Sequence, residues 1–199
     1  MTPLTLDDLT KIYGTPAAAA TKKVATALTD DYRAWIEASR FCVLTTVGPE
    51  GTDGSPRGDD GPVVRELSPT QLALPDWRGN DRIDSLRNIA LDGRVSLMFM
   101  VPGKTNVIRI NGRAFVTADA ELCASFAFKG KEPRTVIVID IAEIYFQCAR
   151  ALIRSQLWGA QYDEPLPSPG QILAGLTQGE VGGEAYDKAW PERAAKTMW

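Results

Sequence analysis

NVIRINGRAFV, residues 106–116, decides how the rest of the chain is read. Its even positions Ile108, Ile110, Ala114 and Val116 are apolar, whereas Arg109, Asn111 and Arg113 at odd positions are polar or basic, with Val107 and Phe115 the exceptions. Successive side chains of a strand point to opposite faces, so this is a strand with an apolar inner face and a largely cationic outer one. Gly112 has no side chain to add to the apolar series and marks a bulge that bends the strand around a barrel. The basic face has two readings, solvated arginines or a site for a small anion, and the pattern by itself leaves both open.

Further strands flank this one. Upstream, DGRVSLMFMV (92–101) reads as a strand joined to it by PGK (102–104). Downstream, a short helix around Ala120–Phe126 precedes RTVIVIDIAEIYFQC (134–148), rich in β-branched residues and long enough for a final strand. FCVLTTV (41–47), GPVVREL (61–67) and QLALP (71–75) bring the expected number to six, and GPEGTDGSP (48–56) reads as a turn-rich connection. The first forty residues are helical in character. Thr29 caps TDDYRAWIEAS (29–39), which has two acids in its first turn and Tyr32, Trp35 and Ile36 on one face. The expected fold is therefore mainly β with flanking helices, a six-stranded antiparallel β-barrel. Residues 1–40 form an N-terminal helical segment, 41–158 the barrel domain, and 159–199 a C-terminal extension. In that extension EPLPSPGQ (164–171) and QGEVGGEAYD (178–187) carry prolines and glycines that block long elements, so it should wrap the barrel surface or a partner subunit.

Composition narrows the chemistry. A net charge of −3 with 44% hydrophobic residues argues against nucleic-acid binding through bulk charge and against disorder. Cys42, Cys123 and Cys148 are widely spaced and odd in number, as in reduced thiols of a cytoplasmic protein. The start MTPLTLDDLT has acids where a signal peptide has cations, and no apolar run approaches a membrane span. Histidine is absent altogether. That removes Ser–His and Cys–His nucleophile pairs and histidine metal ligands, and no metal site is expected. An enzyme built this way needs a bound cofactor to do the difficult chemistry.

Two further stretches could hold a small anion. In GSPRGDDGP (54–62), Arg57 and Asp59 lie on the same side of an extended segment, where an arginine can grip a phosphate and an aspartate can accept from a ring N–H; an ordinary loop with an Arg–Asp pair explains the same residues. WRGNDRIDSLRN (77–88) opens a helix with Asn80 or Asp81 as its cap, running to about Leu91 through Ile83, Leu86, Ile89 and Ala90. A helix N-terminus with unpaired N–H groups stabilises an anion, and Arg82, Asn80 and Ser85 would add directional donors. Against this, Asp76, Asp81 and Asp84 can cancel Arg78, Arg82 and Arg87, with Asp84 and Arg87 spaced for a surface pair.

The order of these pieces resembles a known family. FCVLTTVGPEGTDGSPRGD, LALPDWRGNDRIDSLRNIALDGRVSLMFMV and TNVIRINGRAFVT together are similar to the flavin-binding split barrels related to pyridoxamine 5′-phosphate oxidase, over roughly residues 30–155. RNIALDGRVSLMF is similar to that family's helix and N-P-R-V-x-L-x-F strand, with Asp92-Gly93 in place of Asn-Pro. The resemblance implies a split barrel that forms a homodimer with FMN at the subunit interface. It implies a phosphate near Arg82 and Ser85, contributions from Arg57 and Asp59, Trp77 near the ring system, and Arg109 and Asn111 reaching the cofactor from their strand. CARALIRSQLW (148–158) is similar to a segment of one branch of the family, in which Arg154 and Trp158 would cross the dimer toward substrate. The implied activity is hydride transfer through flavin N5 to or from a small substrate, with NAD(P)H as a possible reductant. A flavin-binding protein without turnover is the alternative. The family's namesake carries an arginine–histidine substrate motif near its C-terminus, and the lack of histidine argues against vitamin B6 oxidation here.

Overall fold

The computed structural model describes residues 1–159 and 165–199, so residues 160–164, Glu164 of the proline-rich run among them, lie outside the described residues. Three N-terminal helices, α1 (Leu6–Ile12), α2 (Ala18–Lys22) and α3 (Asp30–Ala38), lead into β1 (Phe41–Gly48) and β2 (Gly51–Gly58). Then come β3 (Arg65–Ser68), β4 (Gln71–Asp76), α4 (Asp84–Leu91), β5 (Arg94–Met100) and β6 (Val107–Thr117). The chain ends with α5 (Ala120–Ser125), β7 (Thr135–Gln147), α6 (Arg150–Ser155), α7 (Pro169–Leu176) and α8 (Gly183–Thr197). All seven strands belong to one antiparallel sheet in the order β2-β1-β5-β6-β7-β4-β3.

The sheet has one strand more than the six expected. The addition is β2, whose sequence GTDGSPRG had been read as turn. Pairing explains why this composition is tolerated: β2 lies at the end of the sheet and pairs only with β1, so Pro56 loses no ladder bond on its free side. The hairpin turn itself shrinks to Pro49 and Glu50.

β6 curls as its sequence requires. Its register with β7 shifts between Asn111 and Gly112, leaving Ala142 unmatched, and a Cβ on Gly112 would stand 2.0 Å from the Asp140 carbonyl oxygen. The inner faces of β1 and β4 to β7 bury Leu44, Leu74, Leu97, Phe99, Ile110 and Ile137 in one core. α3 lies against it through Ile36, Tyr32 and Trp35, with the Thr29 hydroxyl accepting from the Tyr32 N–H and Arg33 forming a two-point ion pair with Glu66 of β3. A smaller cluster on the other face, Ala73, Val136 and Val138 under Cys123 of α5, explains why β7 is buried on both sides from Val136 to Ile139.

Two turns depart from expectation. α4 begins at Asp84, and its N-cap is Ile83 in the left-handed region (φ 52°), not Asn80 or Asp81. Gly93, at φ 78°, occupies a conformation closed to the proline that the family has there, so the turn into β5 is made instead by Asp92 accepting from the Arg94 backbone and guanidinium. The C-terminal extension also differs from expectation: α8 is a 15-residue helix with Pro191 inside it, held to α7 by Asp187, whose carboxylate accepts from the Ser168 hydroxyl and the Gly170 N–H.

Candidate functional site

The sheet does not close by backbone pairing, because β2 carries no ladder on its outer edge. A side-chain pair spans the gap: Arg57 of β2 donates from Nη1 to Asp76 Oδ1 at the end of β4, at 2.7 Å, with both side chains about four-fifths buried (18% and 20% exposed). Arg57 therefore pairs with Asp76 and not with Asp59. Asp59 instead accepts from the Trp77 indole N–H at 2.8 Å. Over this split lies a cavity of about 1140 Å³, above the ~300–1,000 Å³ of ordinary ligand pockets. Its wall includes Arg57, Asp59, Trp77, Asn80, Arg82 and Ser85, six of the eight residues expected at a cofactor. Two residues of the same wall have a buried polar atom without a partner among the described residues, Arg57 Nε and Thr135 Oγ1. Opposite Arg57 in the β1–β2 register is Cys42, whose thiol burial pushes up to about 12 while the nearby arginine charge pulls it down by less; this is a core thiol and not a nucleophile.

The loop from β4 to α4 is strained where it meets the cavity. Asp81 and Ile83 both have positive φ (58° and 52°), and for a β-branched residue this is an unfavourable conformation that persists only where its surroundings impose it. α4 has no side-chain cap, so no side chain satisfies its first-turn N–H groups. Asn80 Oδ1 accepts from the Arg82 N–H at 3.2 Å, and Asp81 is tied to Arg134 at 3.1 Å. Arg82 itself is 75% exposed and bonds Asp84 at 2.9 Å, whereas Asp84 and Arg87 form no ion pair. Ser85 faces inward, 4% exposed, with its hydroxyl 3.4 Å from Asp53 of β2.

The fourth wall comes from the C-terminus. Tyr186, Trp190, Arg193 and Thr197 of α8 line the cavity, as does Trp199 beyond it. Trp199 sets its ring edge-on to Trp77 (centroids 5.3 Å) and against Phe128 (4.8 Å). Lys131 Nζ donates to the Trp199 carbonyl at 2.8 Å and to that of Lys196 at 3.3 Å. The sequence reading missed α8, Asp76 and Thr135 at this site. Trp190 and Trp199, two of five tryptophans in an otherwise small-residue tail, were the available signal.

The other expected residues lie elsewhere. Arg109 sits on the sheet's outer face between Met98 and Tyr145 in the strand registers, with its guanidinium 5.3 Å from the Tyr145 ring. Asn111 donates to Glu143 at 2.7 Å, which offsets the positive character of that face. In α6, Arg154 donates to the Arg150 carbonyl, and beyond it Trp158 donates to that of Lys104. None of the four lines the cavity. Arg57 and Arg82 thus share the cavity, whereas Arg109 lies outside it.

Residues 28–148 match the family model described as pyridoxamine 5′-phosphate oxidase, more than half of the chain. The chain belongs to the pyridoxamine 5′-phosphate oxidase family. No curated protein matches it in sequence. Solved structures similar to it include the HupZ protein of Group A Streptococcus, 17% identical, with a TM-score of 0.46, covering 59% of this chain and 91% of that one. General Stress Protein 26 of Bacillus anthracis is 18% identical with a TM-score of 0.41, covering 57% and 88%. An FMN-binding protein of Syntrophomonas wolfei is 13% identical with a TM-score of 0.41, covering 58% and 88%. The family's antiparallel split barrel is the fold described above. Among the described residues no helix is long and apolar enough to cross a membrane.

Proposed function

We propose that the protein is a cytoplasmic FMN-dependent oxidoreductase that binds its flavin in the cavity across the split. The observation that carries this reading is the uncapped, strained start of α4 facing that cavity beside Arg82, with the Arg57–Asp76 pair and the Asp59–Trp77 bond on the same wall. These residues fit the group. First-turn N–H groups without a cap can donate to a phosphate, and Arg82, almost free in solvent, can turn from Asp84 to a dianion. Asn80 would support the loop, and Ser85 would donate to the phosphate once turned from Asp53. Asp59 holds the Trp77 ring in one orientation as a flat wall, and Arg57 keeps a buried N–H to spare for a carbonyl or ring nitrogen.

Bound FMN supplies hydride transfer at N5. The chain's own residues bind, orient and exclude water, which agrees with its lack of histidine. In a homodimer, Arg109 and Asn111 on the outer face, and Arg154 and Trp158 beyond it, would approach the partner's flavin from across the interface. Half-exposed Phe41 and Met98 on the β1–β5 pair supply apolar surface for such a contact. The division into residues 1–40, 41–158 and 159–199 belongs to the same proposal, with the middle part holding FMN and the last part closing over it.

Blue-light absorption of the purified protein, followed by mass spectrometry of the released ligand, tests the cofactor; colourless protein that takes up no FMN on titration contradicts it. A non-catalytic FMN carrier would have the same colour, and reduction by NAD(P)H with reoxidation by oxygen or a small substrate separates the two.

A further inference from the structure

We infer that α8 supplies the substrate side of this cavity, and that Arg193 there binds the carboxylate of a flat aromatic acid. The proposal rests on the flavin reading and deepens it by naming the substrate class.

The argument starts from spacing. Tyr186, Trp190, Arg193 and Thr197 recur at intervals of four, three and four, which puts them on one face of α8, and all four line the cavity. A helix that packs on a barrel ordinarily turns its aromatic residues inward, yet Trp190 remains 56% exposed while Ala194 makes the buried contact. The aromatic stripe faces open space across from Trp77.

Charge pairing then singles out Arg193. Of the five arginines lining the cavity, Arg57, Arg82 and Arg134 each have an aspartate partner, Asp76, Asp84 and Asp81. Arg78 and Arg193 have no ion pair among the described residues. Arg193 differs from Arg78 in being held in place: its guanidinium lies 4.7 Å from the Tyr186 ring and 5.4 Å from the Trp190 ring. Stacking fixes the plane of a guanidinium without neutralising it and leaves its N–H edge free, the arrangement that takes a carboxylate by two parallel hydrogen bonds. The neighbouring aromatic faces suit a ring attached to that carboxylate. The Thr135 hydroxyl, without a partner among the described residues and in the same wall, offers a polar contact for the rest of the molecule. Just beyond α8, Trp199 rests between Trp77 and Phe128, which joins the substrate wall to the residue proposed to face the flavin.

The experiment is calorimetric titration of the full chain, with and without added FMN, using benzoate and its neutral isostere benzamide as probes. The expected result is that wild type prefers benzoate, that Arg193→Ala weakens benzoate by about tenfold or more while leaving benzamide and FMN affinity unchanged, and that Arg193→Lys, which keeps charge but not the fork, falls between. Circular dichroism confirms that the variants fold. Equal binding of the two probes by wild type, binding of neither, or unchanged benzoate affinity in Arg193→Ala overturns the proposal. So does a loss of FMN affinity in Arg193→Ala, which would assign this cation to the cofactor phosphate. Benzoate selectivity that depends on Arg193 in a protein that takes up no FMN would retain the aromatic-acid site and reject the flavin.

Discussion

The β6–β7 ladder and the β2–β4 split belong to the same sheet and are held by different means. Along β6 and β7, backbone pairs run from Val107–Gln147 to Thr117–Val136 with one bulge, over side chains such as Ile110, Ile139 and Ile144 that are fully buried. Across the split there is no backbone pair; the Arg57–Asp76 ion pair and the Asp59–Trp77 hydrogen bond join the two sides, and two polar atoms nearby lack partners among the described residues. The first region is built for stability. The second keeps polar groups incompletely satisfied beside a large cavity, an arrangement that favours a ligand able to complete them.

Substitutions should separate these roles. The largest effect is expected from Ile110→Ala in the ladder, which should lower unfolding free energy by about 2–5 kcal/mol through the lost transfer term and the remaining void. Flavin affinity of the folded fraction should stay as it was; denaturant melts and FMN titration on one sample measure both. Asp76→Ala at the split should cost about 1–3 kcal/mol by leaving Arg57 buried without its partner. Arg57→Met in the same background should recover part of that loss, and a chemical denaturation series that shows no recovery would mean the charge is not what matters. Arg82→Ala is expected to leave the melt unchanged, since the side chain is largely in solvent, and to weaken FMN by about tenfold. An unchanged flavin dissociation constant would remove the phosphate from the start of α4.

The sequence reading divided along the same line. The alternation around Arg109 and Asn111 and the missing side chain of Gly112 were enough to place β6 and its bend, because period and bulge are local properties. β2 was missed because its three glycines and proline carry a turn signal, and only its place at the sheet edge makes them acceptable. The gathering of Arg57, Asp59, Trp77, Asn80, Arg82 and Ser85 on one wall could be anticipated from the order of motifs. The partners Asp76 and Asp53 could not, since they are chosen by a three-dimensional approach of strands that no spacing encodes. For the same reason Trp199 gave no indication that it would rest on Trp77.

The smallest effect expected lies at the turn that replaces the family's Asn-Pro. The Arg94 guanidinium and backbone N–H hold the Asp92 carboxyl down at about 2, below its ordinary 3.8. A depressed acid stabilises the fold above its unfolded value and ceases to do so as pH falls through the folded one. Wild type should therefore exceed Asp92→Asn slightly in thermal midpoint above pH 3.8, with the difference vanishing as pH approaches 2.

Closing a barrel with a single ionic clasp has a mechanical result. Parting β2 from β4 breaks the Arg57–Asp76 pair and the adjoining Asp59–Trp77 bond but no amide ladder, so this side can breathe at a small fraction of the global unfolding free energy while β6 and β7 act as a stiff spine. Amide protons of β2 along its free edge should accordingly exchange with deuterated water long before those of Ile137 and Ile139, and a guest as bulky as a flavin gains an entrance that costs the fold almost none of its order.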